Sequence, residues 1–380
     1  MNIPRLVTPI LFLSLCFLSC ATSVQAQFAT ETTKAQDKRE LEIASRFSPV
    51  FYQSLGSNKR ADYITNFDFD GDWRGDNNWI HTNDNRFPMK AFVYYAVVET
   101  ETHYFIHFAV FHGRDYKGGE ERGTILSELM REGAKRAGKY DPTGIAEESA
   151  LAHENDFEGC LVVVAKAAAG GHVVYLETLR HNTINHYAAD RSEKNAQEMR
   201  VEGDHTLLYV EPKGHGILPL TTETQTTNKE ILIYEVGSRA EDPEKTNADG
   251  VQYALLPLQT LWARAQGGVN VTYGETQDFG KVTISVKSKD ASTELKTDLK
   301  NIGIAFAGSV GGLNMARPPW GWFDRSRREQ TLGLWFFDPA KTIKRDFRLT
   351  ESFSTTYLEI PFWAATGKAS VVKSVETSNH

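Results

Sequence analysis

The chain has 380 residues, 41% of them hydrophobic and 24% charged. That is the balance of a globular protein, and it excludes a disordered chain, a collagen-like repeat and a disulfide-dense miniprotein. The formal net charge of -7 lacks the basic footprint of a nucleic-acid binder, and 11% aromatics lean the fold towards strands.

The N-terminus reads as an address. Arg5 precedes an apolar run over 6–18, and Val24-Gln25-Ala26 places small residues where a signal peptidase reads. These features predict a secretory signal cleaved after Ala26, hence a secreted or periplasmic protein. The run is too short and too interrupted for a spanning helix, and no later stretch spans. Leu18-Ser19-Cys20-Ala21 loosely resembles a lipoprotein box, which leaves a lipid anchor at Cys20 as an alternative. Cleavage leaves Cys160 as the one thiol, so no internal disulfide forms. In Gly159-Cys160-Leu161-Val162 it reads as a small buried hydrophobe.

After a polar leader (27–46), Phe47-Ser48-Pro49-Val50-Phe51-Tyr52 opens the folded part. Strand-length apolar runs follow at 91–98, 103–111, 159–165, 172–177, 206–210, 230–236, 251–256, 281–287, 332–337 and 355–361. Most are bounded by Gly, Asp, Asn or Pro. Helical periodicity is confined to 125–137, 193–200 and 258–265. Many short strands with sparse helices predict an antiparallel β-sandwich with helical insertions. One elaborated domain over 47–361 is expected, with insertions near 116–152 and 182–204 and a polar tail at 362–380.

The most informative segment is Ala152-His153-Glu154-Asn155-Asp156-Phe157-Glu158-Gly159. Asp156 and Glu158 share one face of a strand, and His153 can fold back towards them. One imidazole and two carboxylates at a strand mouth make either a hard-metal site or an acid/base cluster. As a metal site the mixed set suits Mg, Ca or Mn better than structural Zn. Asp115 lies just past the end of the 103–111 strand, where loop ligands usually sit.

These residues resemble a family. His153, Asp156 and Glu158 match the H-x-x-D-W-E motif, with Phe157 for its Trp, of the superfamily of necrosis-inducing (Nep-like) secreted proteins and the vacuolar protein sorting-associated protein 62 group. Asp115 matches the upstream Asp of the necrosis-inducing members. Lys213-Gly214-His215-Gly216 resembles a later turn whose His lines the same pocket. The resemblance implies a β-sandwich with a divalent cation held by Asp115, His153, Asp156 and Glu158, with His215 beside it. The motif also departs from the family. Ala152, Glu154 and Asn155 replace the Gly, Arg and second His of the full necrosis heptapeptide, so toxicity is not carried over.

Three other segments stand out. Asn66, Asp68 and Asp70 alternate before Gly71-Asp72, so Asp68, Asp70 and Asp72 form a possible second cation loop. Asn77 stands where an EF-hand needs its bidentate Glu, and the alternative is an Asx-rich turn. Ala307-Gly308-Ser309-Val310-Gly311 resembles a nucleophile elbow but leaves little room for the helix that must follow. Arg317-Pro318-Pro319-Trp320-Gly321-Trp322-Phe323, with Arg325 nearby, either exposes aromatics to a sugar or lipid or packs them beneath a proline turn.

The expected function is recognition of a glycan or lipid headgroup at a cell surface through a bound divalent cation. The alternative is a metal-dependent hydrolase of phosphoester or glycoside bonds, with the cation activating water.

Overall fold

The structure, a computed structural model, describes residues 36–117, a few positions between 129 and 138, and 151–372 with short internal gaps. The gaps are 168–169, 191–192, 194–195, 223, 225–229, 248–249, 289–290, 312–314, 326–331 and 366–367. The expected signal segment, Cys20 and most of the expected 125–137 helix lie outside the described residues. The chain divides into two compact units, residues 1–43 and 44–380. The second contains every strand among the described residues.

That unit is mainly β. Its principal sheet has twelve strands: β1 (Val50–Ser54), β2 (Phe92–Glu99), β3 (His103–Asp115), β4 (His153–Ala165), β5 (His172–Arg180), β6 (Thr183–Ala188), β7 (Gln197–Glu198), β8 (Val201–Glu202), β9 (His205–Val210), β10 (Ile217–Pro219), β11 (Ile231–Val236) and β12 (Gly250–Pro257). The order is β10-β9-β1-β11-β12-β2-β3-β4-β5-β6-β7, with β8 paired to β9. Strands β2 to β6 form an antiparallel meander. The pairs β1/β9, β11/β12, β12/β2 and β6/β7 are parallel. The sheet is therefore mixed, which corrects the antiparallel expectation. Parallel neighbours need a crossover rather than a tight turn, and the long connection between β11 and β12 supplies one. The sheet curls, bringing β10 against β4 and β5.

One face of the sheet shares a continuous core with everything C-terminal to it. Tyr94, Phe105, Phe111, Phe157 and Val163 meet Trp262 of the helix Gln259–Ala265 and Ile343 of the helix Pro339–Asp346. They also meet Ile284, Val286 and Leu295 of a smaller sheet made by β14 (Gly280–Ser288), β15 (Ala291–Leu299), β17 (Thr356–Tyr357) and β18 (Lys368–Val372). β13 (Tyr273–Gln277) pairs with β16 (Ile302–Phe306). Cys160 is fully buried and free, and burial pushes its thiol up, in keeping with an inert hydrophobe.

Three local expectations fail. The run 332–337 is not a strand: Gly333, at φ 81°, opens a helical turn over Leu334–Phe337. All three of its aromatics are buried, and a short apolar run with no alternation cannot tell a buried strand from a buried helix. Within 193–200 the ordered element is strand β7, because that polar stretch offers no apolar stripe for a helix to bury. At 355–361 only Thr356–Tyr357 pairs as strand. Among the described residues, no helix is long and apolar enough to cross a membrane.

Candidate functional site

β3 and β4 run antiparallel in a register that sets Asp115 opposite His153 and His112 opposite Asp156. Asn155 interrupts the ladder with φ 60°, a left-handed conformation that Asn adopts more readily than most residues. The turn aims the Asn155 carbonyl at His153 Nδ1 (2.7 Å), leaving Nε2 for Asp115 Oδ2 (3.1 Å). The Asn155 amide staples three segments: Nδ2 donates to the Gly75 and Ala307 carbonyls (2.9 and 2.8 Å), and Oδ1 accepts from Asn78 Nδ2 (2.7 Å). Glu154 does the same work beside it, accepting from Trp79 N and from the Ser309 N–H and hydroxyl. The Ser309 hydroxyl is thus committed to a structural carboxylate. Two of the departures from the necrosis heptapeptide, Glu154 and Asn155, are thus residues that lock the loops around the site.

Asp115, His153, Asp156 and Glu158 all line one pocket of about 530 Å³, together with Lys117, Phe157, His181, Trp322 and Arg325. Its rim includes the β5–β6 hairpin tip. His181 and Asn182 both have φ > 0 there, as a two-residue type I′ turn requires. Trp322 lies against β4 because Gly159 has no side chain: a Cβ there would stand 2.4 Å from both the Trp322 ring and the Phe108 carbonyl. The indole Nε1 donates to the Phe157 carbonyl (2.9 Å). Trp320 and Trp322 are both buried, beside a 3-10 turn at Pro319–Gly321. The aromatics of this segment therefore pack, and the exposed reading of the two tryptophans is set aside.

The electrostatics divide the acids. Burial alone would raise the Asp115 carboxyl. The Lys117 ammonium, paired with its Oδ1, and the His153 imidazole outweigh burial and hold it below the usual carboxylate range. Burial likewise opposes charge on His153, and Asp115 overrides it and raises the imidazole. Asp156 Oδ1 accepts from Phe157 N (2.9 Å) and Oδ2 accepts from His215 Nδ1 (2.8 Å). Burial, then the Asp156 charge, push Glu158 well above its ordinary value. Its Oε1 accepts only a long bond from His181 N (3.3 Å), and its buried Oε2 has no hydrogen-bond partner.

His215 stands in the 213–216 turn, where Lys213 and His215 are left-handed. Its Nε2 meets Asp62 Oδ1 at 3.2 Å. Asp62 is fully buried and also accepts from Gly56 N, Lys213 N and Tyr116 Oη. Burial would lower the imidazole of His215, but bonds to Asp156 and Asp62 raise it to about 9. The His112 ring stacks on it at 3.7 Å and 6°. Burial, then the neighbouring His215, push His112 well down, so a neutral ring lies on a charged one.

Among the described residues, ligand atoms converge in two groups, His112–Asp156–His215 and Glu177–His186–Asp346. Both hold His and Asp donors of a kind that binds metals. In the first, both His215 nitrogens are engaged, by Asp156 and Asp62, and the His112 ring lies parallel to it. In the second, Glu177 is engaged by His186 (2.6 Å) and Trp335 Nε1 (2.5 Å), and Asp346 by Arg345. In the acidic loop, Asp68 accepts from Asn66, Asp70 from Asp72 N and the His81 imidazole, and Asp72 from Arg74 N and Asn77. This is the hydrogen-bond pattern of an Asx-rich turn. A larger, more open depression of about 800 Å³ lies around His103, Tyr175 and Arg348. It contains none of the carboxylate cluster.

No protein-family model and no curated protein matches the chain. It is similar, over about half its length, to solved structures of necrosis-inducing proteins, the group that the 153–158 motif resembles. NLPPya in complex with glucosamine matches at 15% identity, over 46% of this chain and 52% of that one, with a TM-score of 0.23. The non-toxic HaNLP3 protein matches at 11%, over 48% and 60%, TM-score 0.24. Necrosis and Ethylene inducing Protein 2 from the causal agent of cocoa's Witches Broom disease matches at 12%, over 47% and 55%, TM-score 0.21. The chain thus spans little more than half of each. Overlap of this extent carries nothing about the site residues.

The four expected ligands share one pocket, but among the described residues they are not one of the two groups whose ligand atoms converge. Glu158 Oε2 is a buried polar atom without a hydrogen-bond partner. Three residues central to the site had no place among the expected ligands: Asp62, His112 and Lys117. His112 and Lys117 flank Asp115 in sequence, so a wider window around that strand end would have caught them. Asp62 sits in an ordinary loop with no local signal.

Proposed function

We propose that this protein recognises a sugar or lipid headgroup at a cell surface through a divalent cation, Mg, Ca or Mn, held by Asp115, His153, Asp156 and Glu158. The observation that supports this best is the unpartnered, buried Oε2 of Glu158, a residue that lines the pocket. A buried acceptor without a donor costs ~1–3 kcal/mol, and a cation relieves that cost. Leu151 and Met315, both partly exposed, add apolar lining beside the acids, the mixture that sugar rings and headgroup glycerols use. Export through the N-terminal segment is part of the same proposal, and Cys20 anchorage is its variant.

Calorimetric titration of the full chain tests the reading, with glucosamine and with glycolipid-bearing vesicles as probes, in millimolar Ca or in chelator. Binding should require the cation, and Glu158→Gln should abolish it without lowering the unfolding midpoint. Equal binding in chelator would exclude a cation role.

A further inference from the structure

The pocket's charges are already balanced from within. Asp156 meets the His215 imidazole. Asp115 divides its oxygens between His153 Nε2 and the Lys117 ammonium. The Lys117 side chain is only 3% exposed, so this is a buried ion pair rather than a surface contact. Lys117 follows Asp115 by two residues at the end of β3, so the sequence itself delivers the ammonium to the carboxylate. An ammonium and a divalent ion on one buried carboxylate oppose each other, because two like charges a few ångströms apart in a poorly screened interior repel.

We propose that Lys117 is a tethered cation that holds the metal position in the resting protein, and that a divalent ion enters only by displacing it. The inference rests on the cation reading of this pocket. It makes Lys117 a residue that sets metal affinity. Once displaced, the ammonium loses its buried carboxylate partner and moves towards solvent.

The test is calorimetric titration of Ca and Mn into wild type, Lys117→Met and Lys117→Arg. Removing the charge should tighten divalent binding at least tenfold, and Lys117→Arg, which keeps it, should stay weak. Equal affinity of wild type and Lys117→Met overturns the tethered cation and leaves the cation reading standing. No binding by either overturns both. Should Lys117→Met fail to fold, the wild-type chain answers through acylation of lysine amines read by peptide mass spectrometry. Saturating Ca should raise Lys117 labelling severalfold, and unchanged or reduced labelling refutes displacement.

Discussion

Replacing Asn155 with Ala should be among the most destabilising single changes near the site. The side chain is fully buried and makes three hydrogen bonds, to Gly75 O, Ala307 O and Asn78 Nδ2. Each is worth ~1 kcal/mol net, and more where the abandoned partner stays buried. Ala must also hold φ 60°, a conformation that costs an L-residue about 1–2 kcal/mol. The sum is ~4–5 kcal/mol, a large share of a total stability of roughly 5–15 kcal/mol. Asn155→Gly separates the two contributions, since it loses the same bonds but accepts the backbone freely. It should fall about 1 kcal/mol short of the Ala variant's loss. Urea unfolding followed by Trp fluorescence measures both, with the midpoint reporting stability while the slope is unchanged. A loss under about 1 kcal/mol for Ala, or Gly no better than Ala, would refute the stapling role.

The His215 imidazole is raised from 6.5 to about 9 in the fold, so its stabilisation is fully present below pH 6.5 and is lost as pH rises through 9. That amounts to on the order of 3 kcal/mol. His215→Gln should flatten the stability profile over this window, and a wild-type profile already flat there contradicts the charged imidazole. Gly159→Ala drives a Cβ to 2.4 Å from the Trp322 ring and the Phe108 carbonyl. It should cost about 1–3 kcal/mol by overpacking and shift Trp emission, and an unperturbed spectrum speaks against that packing.

Sequence shows some parts of this site and hides others, for physical reasons. Asp115, His153, Asp156 and Glu158 end or begin two strands that pair directly, so neighbourhood along the chain becomes neighbourhood in space. The Lys213–Gly216 turn is marked by its glycines. Asp62 reaches the site through the bridge of Thr65 to Phe111 of β3, and His215 through the curl that brings β10 against β4, long-range pairings that no local pattern encodes. Lys117 is visible as a letter, but its burial is not: charged residues are seldom buried unless paired, and its partner Asp115 is buried with it. The mixed strand order is hidden for the same reason as the curl. Alternation reports which face is buried, and it does not say whether the neighbour runs parallel or antiparallel. The aromatic run before Asp338 misleads differently, since three consecutive buried aromatics satisfy a strand and a helical turn equally well.

The bond between Asp156 and His215 has a consequence for how the protein moves. It ties β4, deep in the meander, to the turn that precedes the edge strand β10. Edge strands are commonly the first to open in a native fold. Detaching β10 would carry His215 away from Asp156 and Asp62 and leave these two buried carboxylates without their shared imidazole. A ligand that fixes Asp156 would therefore act, through His215, as a clasp on the sheet's far margin. Backbone amides of β9 and β10, which touch no ligand, should exchange with solvent more slowly when the pocket is filled.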